Sequence, residues 1–263
     1  NTGSAPHKKK TIEAWFKADS VYSSSHRQTI YEQGGTVRGL NIYIYEGLLY
    51  VGGWNEPDGE SDWDPGTWLA TNGTGDEIIE SGKWHHVALT LDASDANSVQ
   101  SNVLKGYLDG KEFGSGSGSK LWSHGGDVSI ARNRDTKFSP NQDFNTRKYF
   151  SGLIDDVRLW NTARTAQEIN DYKDKALNGD EDNLAAYYDF QENNAEDKQN
   201  QSNNDGTIKN GATWVNDGPE LSIIGSATSY TTAINLSSQG NQLLVNGDLN
   251  ISGTTVTGTG QIV

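Results

Sequence analysis

The sequence predicts an all-β fold: a two-sheet jelly-roll sandwich with one short helix, plus a C-terminal β-rich Ser/Thr/Gly segment. Three observations carry that expectation. Short runs of alternating apolar and polar residues recur along most of the chain, as half-buried strands require. The composition is loop-rich, with 30 glycines, 33% hydrophobic residues and 10% aromatics among 263 residues, so a core must rest on large side chains at alternate strand positions. Turn signals stand between runs at Glu46-Gly47 and Asp109-Gly110, where a tight hairpin needs residues that tolerate positive φ.

In chain order, Thr11–Lys17 alternates and is β-rich, as do Gln28–Glu32 and Leu40–Tyr45. Leu48–Val51 pairs with the last of these through Glu46-Gly47. Trp84–Leu91 is a longer strand. Leu104–Leu108, Val128–Ala131 and Ser151–Trp160 complete the set. One helix follows, with Thr165 as N-cap, Glu168 in the capping-box position, and Ile169, Tyr172 and Ala176 at helical spacing. Leu184–Phe190 reads as a strand, followed by an Asn/Asp/Gln-rich loop and short strand pieces at 206–208 and 212–215. Residues 1–220 form one domain on this reading. Residues 221–263 are a linker or the first rungs of a solenoid-like β-rich domain, with Leu243–Ile251 and Thr255–Thr257 as rungs.

Several runs resemble bacterial LamG-like (laminin G/pentraxin-type) domains. Thr11-Ile12-Glu13-Ala14-Trp15-Phe16-Lys17 is similar to that family's first core strand, and Trp84-His85-His86-Val87-Ala88 to its W-H-H-V-A strand. Gly106-Tyr107-Leu108-Asp109-Gly110 is similar to its Y-V-D-G hairpin. Phe150 through Trp160 is similar to F-x-G-x-I-D-E-V-R-I, and Tyr187 through Trp214 to a later Y-x-F…D-x-S-G-N…W element. That element departs from the family pattern at Ser202–Asp205, and the family's usual strand ahead of Thr11 is missing. The resemblance implies two curved antiparallel sheets in a concanavalin A-like jelly roll, long loops at one rim, Trp84, Val87, Leu89 and Leu91 or their alternates as core, Asp155-Asp156 as scaffold, and a bacterial secreted or cell-surface setting.

Charge and composition exclude several classes. A net charge of −14 is the wrong footprint for nucleic acid, and no apolar run approaches the roughly 20 residues that span a bilayer. Without cysteine there is no disulfide and no Cys-ligated zinc. The start at Asn1-Thr2-Gly3 reads as that of an excised or processed fragment. His85 and His86 are adjacent on a strand and so point to opposite faces, which makes them structural rather than a metal pair.

The candidate binding site is the stretch carrying Trp54, Asn55, Asp58, Asp62, Trp63, Asp64 and Trp68, read as a loop in which aromatics stack on sugar and polar groups bind hydroxyls. At least one of its tryptophans is expected to plug the sandwich end instead. Trp122, His124, Arg132 and Arg134 are placed on the same rim, the two arginines reading equally as surface charges. Asp197, Asn204 and Asp205 are the candidate Ca2+ ligands, with a simple polar turn as the other reading. Glu56-Pro57-Asp58-Gly59-Glu60 has the spacing of a hydrolase carboxylate pair, but Pro57 and Gly59 argue against a central strand. The functional expectation is therefore a non-enzymatic, calcium-dependent carbohydrate-binding or adhesion module of a large exported protein, binding surface or environmental glycan and packing on neighbouring domains. A structural or protein-interaction module and a glycan hydrolase of the same fold are the alternatives.

Overall fold

The computed structural model describes residues 7–22, 27–56, 63–93, 98–122, 128–132, 136–139, 149–191, 193–199, 204–209, 212–223, 234–235 and 256–257. In chain order the strands are β1 (Lys9–Ala18), β2 (Gln28–Gly34), β3 (Arg38–Tyr45), β4 (Leu48–Asn55), β5 (Trp63–Ala70), β6 (His85–Asp92), β7 (Gln100–Leu108), β8 (Lys111–Gly118), β9 (Ser129–Ile130) and β10 (Gly152–Trp160). Helix α1 (Ala166–Tyr172) follows, then β11 (Lys175–Ala176), β12 (Leu184–Tyr188) and β13 (Ser222–Ile223). One sheet runs β12-β10-β1-β6-β7-β8 and the other β5-β4-β3-β2-β9, both antiparallel throughout.

Strand alternation sends one set of side chains from each sheet into a shared core. Ile12, Ala14 and Phe16 of β1 and Val87, Leu89 and Leu91 of β6 meet Leu40, Ile42 and Ile44 of β3 and Leu49 and Val51 of β4. Full burial of each such large apolar side chain contributes about 1.5–3 kcal/mol. The two expected hairpins form, with Glu46 and Gly47 at φ 50° and 81° and Asp109 and Gly110 at 50° and 84°, both central residues left-handed as a two-residue turn requires.

Helix α1 packs on the outer face of the six-stranded sheet, over β6 and β7. Its capping box is formed: the Thr165 hydroxyl accepts from the Glu168 N–H at 3.2 Å, and the Thr165 N–H donates to the Glu168 carboxylate at 2.7 Å. Ile169 packs on Ala88 and Tyr107. Beneath the helix lies a buried polar layer in which Arg164 donates to Glu13 at 2.9 Å, His86 lies 3.3 Å from Glu13, and Asp156 pairs with Arg158. Arg158 also donates to the carbonyls of Tyr172 and Lys175. Burial pulls the Glu13 carboxyl upward, but the His86 hydrogen bond and the Arg164 and Arg158 charges outweigh it and hold Glu13 down at about 2. His85 faces the other way, against Phe16, with Asp109 2.9 Å from its Nδ1 and its Nε2 accepting the Glu80 N–H. The two histidines are thus separated by the sheet.

Two strands depart from the sequence expectation. Trp63–Ala70 was expected as loop and is β5. Lys111–Gly118 follows a hairpin signal but, with its Gly-Ser-Gly-Ser-Gly run, lacks the apolar alternation of a strand; it is β8. Packing explains β8: Gly116 faces Thr67 and Leu69 of β5, and a Cβ there would come within 2.7 Å of Thr67, so glycine lets the two sheets close on each other. Residues 206–208 and 212–215, expected as strand pieces, are irregular. In the C-terminal segment Ser222–Ile223 pairs in parallel with Lys175–Ala176, and β14 (Ile234–Asn235) in parallel with β15 (Val256–Thr257); the expected rung at Leu243–Ile251 lies outside the described residues. Among the described residues no helix is long and apolar enough to cross a membrane.

Candidate functional site

With α1 packed on one sheet, the outer face of the other sheet is where the aromatics gather. The β3–β4 register sets Tyr43 opposite Tyr50, Asn41 opposite Gly52 and Gly39 opposite Trp54, and the β4–β5 register sets Gly52 opposite Trp68. These residues share one face. Tyr43 and Tyr50 stack at 4.8 Å and 6°, and Trp54 and Trp68 at 6.1 Å and 14°. Glycine makes the stacks possible. A Cβ at Gly39 would stand 2.6 Å from the Trp54 ring, one at Gly66 2.8 Å from the Trp68 ring, and one at Gly52 would overlap the Trp68 indole. The indoles therefore lie over bare backbone. Tyr43 and Trp54 are buried, whereas Tyr50 and Trp68 are half-buried and form the open end of the strip.

Residues 136–139 cross this face. The Asn41 amide donates to the Thr136 hydroxyl at 3.0 Å and the Lys137 carbonyl at 2.6 Å, and the Tyr43 hydroxyl donates to the Ser139 carbonyl at 2.8 Å. Phe138 meets Tyr43 edge-on at 4.8 Å, and the Arg27 guanidinium lies 4.4 Å over the Tyr45 ring. Lys137 is buried and forms an ion pair with Glu56, while Asp64 lies 3.6 Å from its ammonium. Burial, more than any other cause, pushes the Tyr43 and Tyr50 phenols upward, so both stay neutral hydrogen-bonding groups at physiological pH.

The structure redistributes the sequence-predicted residues. Trp54 is the penultimate residue of β4 and lies fully buried, its indole N–H donating to the Gly35 carbonyl at 3.0 Å. Asn55 is also buried, its amide donating to the Lys120 carbonyl at 3.3 Å. Trp63 turns into the core, where it packs near Gly53 and Gly118 and donates to Thr67 at 3.0 Å. The expectation of one long aromatic loop is corrected accordingly: all three tryptophans stand on strands, because the glycines of β3, β4 and β5 make room for indoles on both sheet faces. Trp68 and Asp64 keep accessible surface. Asp58, Asp62, His124 and Arg134 lie outside the described residues. Trp122 is half-buried, with the Lys120 ammonium 5.1 Å over its ring. Arg132 bridges Tyr149 beside β9, at the opposite edge of the sheet from β5. Four strand spacings separate those edges, about 19 Å, so Arg132 does not share a rim with Trp68.

Sequence reasoning missed Asn41, Tyr43, Tyr50, Lys137 and Phe138. The signal for the tyrosines was present: Tyr43 and Tyr50 flank the Glu46-Gly47 turn at equal distances along their strands, which a two-residue hairpin brings face to face. No local signal marks 136–139, whose placement depends on long-range contacts.

Asp197, Asn204 and Asp205 do come together. Asp197 accepts the Tyr187 and Gln199 N–H groups at 2.9 and 3.0 Å and the Asn204 amide at 3.2 Å, and the Asp197 N–H donates to Asp205 at 3.0 Å. Lys198 N–H donates to the Tyr187 carbonyl at 2.8 Å, so the loop completes the outer edge of β12 as a strand would. Both acids carry hard oxygen donors of the kind calcium takes, but the Asp197 carboxylate is already engaged by N–H donors. A full set needs six to eight oxygens and the Asn204 oxygen turned inward. Among the described residues no three acidic or histidine side chains are grouped to hold a metal. Glu56 follows the end of β4, and Glu60 lies outside the described residues.

Solved structures similar to this chain include a candidate carbohydrate-binding protein from Bacteroides ovatus (20% identity, TM-score 0.48), of which the chain covers 46% with 71% of its own length. A SAP-like pentraxin from Limulus polyphemus shows 18% identity and TM-score 0.42, over 63% of this chain and 70% of that one. Domain 4 of the extracellular arabinanase AbnA from Geobacillus stearothermophilus, solved with arabinotriose, shows 17% identity and TM-score 0.41, over 64% and 67%. This chain thus spans less than half the length of the Bacteroides protein. Among curated proteins none matches it. Residues 1–170 match the Laminin_G_3 family model, and the sandwich, its capped helix and its hairpins agree with that match: the chain belongs to the concanavalin A-like lectin/glucanases superfamily.

Proposed function

We propose that the domain binds carbohydrate on the outer face of the five-stranded sheet, as a calcium-assisted adhesion module of an exported cell-surface protein. The observation that carries this reading is the pair of aromatic stacks on one face, ending in the half-buried Trp68 and Tyr50. Sugar rings present flat C–H faces that pack on such rings, and hydroxyls at their rims suit an exposed carboxylate like that of Asp64. Membership of a lectin and glucanase superfamily supports the same substrate class. Binding is favoured over hydrolysis because Glu56 is engaged by Lys137, whereas glycoside cleavage needs two carboxyl groups facing a shared bond. Calcium is assigned to the Asp197–Asp205 loop, where it would stiffen the β12 edge rather than touch the sugar.

Glycan-array screening of the chain, with calorimetry on the best binder, tests the reading. The expected result is a bound oligosaccharide whose affinity falls about tenfold or more in Trp68→Ala, a loss of about 1.4 kcal/mol. Retained affinity in that variant removes the site. A chain that binds no glycan but gains thermal stability from calcium moves the function to protein contacts.

A further inference from the structure

We infer that Asn72 is a self-modification site, at which the chain converts this asparagine into aspartate or isoaspartate through a cyclic imide closed by the backbone nitrogen of Gly73. The sequence holds four Asn-Gly steps: Asn72-Gly73, Asn178-Gly179, Asn210-Gly211 and Asn246-Gly247. The first two lie among the described residues. A glycine has no Cβ, so the nitrogen that follows the asparagine is left open to approach. Both glycines hold the left-handed backbone, with φ 69° at Gly73 and 87° at Gly179. Their surroundings differ.

At Asn72 the groups the reaction needs are in place. Gly73 is exposed, and among the described residues its N–H donates to no acceptor. Asn72 Oδ1 accepts the Thr74 N–H at 2.8 Å and the Thr74 hydroxyl at 2.6 Å. These bonds fold the side chain forward over the Asn72-Gly73 peptide, which restricts its search for the nitrogen. As the Gly73 nitrogen bonds to Asn72 Cγ it yields its proton to water, and the carbonyl electron pair moves onto Oδ1. The two Thr74 donors face the charge that develops there. The side-chain nitrogen then leaves as ammonia. Water adds to one imide carbonyl and breaks its C–N bond, giving aspartate or, at the other carbonyl, isoaspartate. Either product adds one negative charge to the −14 of the chain.

The step at Asn178 is guarded. Gly179 is buried, and its N–H donates to Glu181 Oε2 at 3.0 Å, while the Asn178 N–H donates to Oε1 of the same carboxylate at 2.7 Å. Loss of the Gly179 proton would set an amide anion against a carboxylate, which electrostatics opposes. At Asn72 the nearby carboxylate lies elsewhere: Glu77 Oε2 accepts the Asn72 N–H at 2.7 Å, not that of Gly73. The new carboxylate therefore forms beside Glu77, and like-charge repulsion loosens the turn from β5 into the 3-10 helix Gly75–Glu77.

The test is to hold the full chain at about pH 8 and about 37 °C, digest it, and map it by mass spectrometry with fragmentation that separates aspartate from isoaspartate. Conversion at Asn72 is expected to run about tenfold or more faster than at Asn178. Thr74→Val, at an exposed position whose side chain makes no cap bond to the 3-10 helix, is expected to slow Asn72 about threefold or more. Unfolding removes the bonds at both steps, so in about 8 M urea the two rates should agree within about threefold. Native conversion at Asn72 no faster than at Asn178, an undiminished rate in Thr74→Val, or a preference for Asn72 that persists in urea overturns the proposal.

Discussion

Trp54 and Trp68 form one stack but differ in what they do. Trp54 is fully buried with its N–H bonded, so Trp54→Ala is expected to cost about 3–5 kcal/mol, read as a lowered urea midpoint. Trp68 is half-buried, and its removal should act on ligand affinity while the fold persists. Substitution of Trp54 or Trp63 therefore reports on folding, not on binding. Asp155 offers a pH test. Burial, reinforced by the Asp156 charge, raises its carboxyl from 3.8 to about 7. Between those values the folded chain keeps a proton that the unfolded chain has released, so this group lowers stability as pH rises through the window. Asp155→Asn should therefore raise the urea midpoint at pH 8 relative to native, with a smaller gain near pH 4. At this scale the sequence was partly legible. Tryptophan and acid were visible between Trp54 and Trp68, but the burial of each depends on glycines in neighbouring strands, and no local pattern encodes that.

At the scale of elements, periodicity and turn chemistry carried most of the fold. The capping box of α1 was readable because Thr165 and Glu168 satisfy each other's backbone groups locally. Thr165→Ala is expected to cost about 1 kcal/mol in thermal or denaturant unfolding. The glycine strand β8 was not readable, because a strand is normally announced by its side chains and this one is defined by their absence. Gly116→Val would drive a branched side chain onto Thr67 and Leu69, with an expected loss of about 1–3 kcal/mol, checked by the same unfolding curves. The Asp197 loop shows the same limit from the other side. Its residues looked like metal ligands by type, and the structure adds a second role, since Asp197 accepts the Tyr187 N–H where a neighbouring strand would.

For the whole molecule, calcium provides the discriminating measurement. If the Asp197–Asp205 loop takes the ion, melting in calcium should exceed melting in chelator, and Asp205→Asn should narrow the difference. An equal melting temperature in both would leave the loop as an edge cap alone. The superfamily was legible from motifs in order along the chain, whereas the aromatic face emerged only when both sheets were assembled. The two faces of the sandwich have different fates. One carries α1 over a layer of paired charges, with Glu13 held ionised and Arg158 bonded to the Tyr172 and Lys175 carbonyls. A helix on one side gives the domain a front and a back. On the proposed function, a glycan that meets the aromatic strip approaches from a single direction, so in an array of such units the orientation of each one, as much as its affinity, would decide which of them can hold the same surface at once.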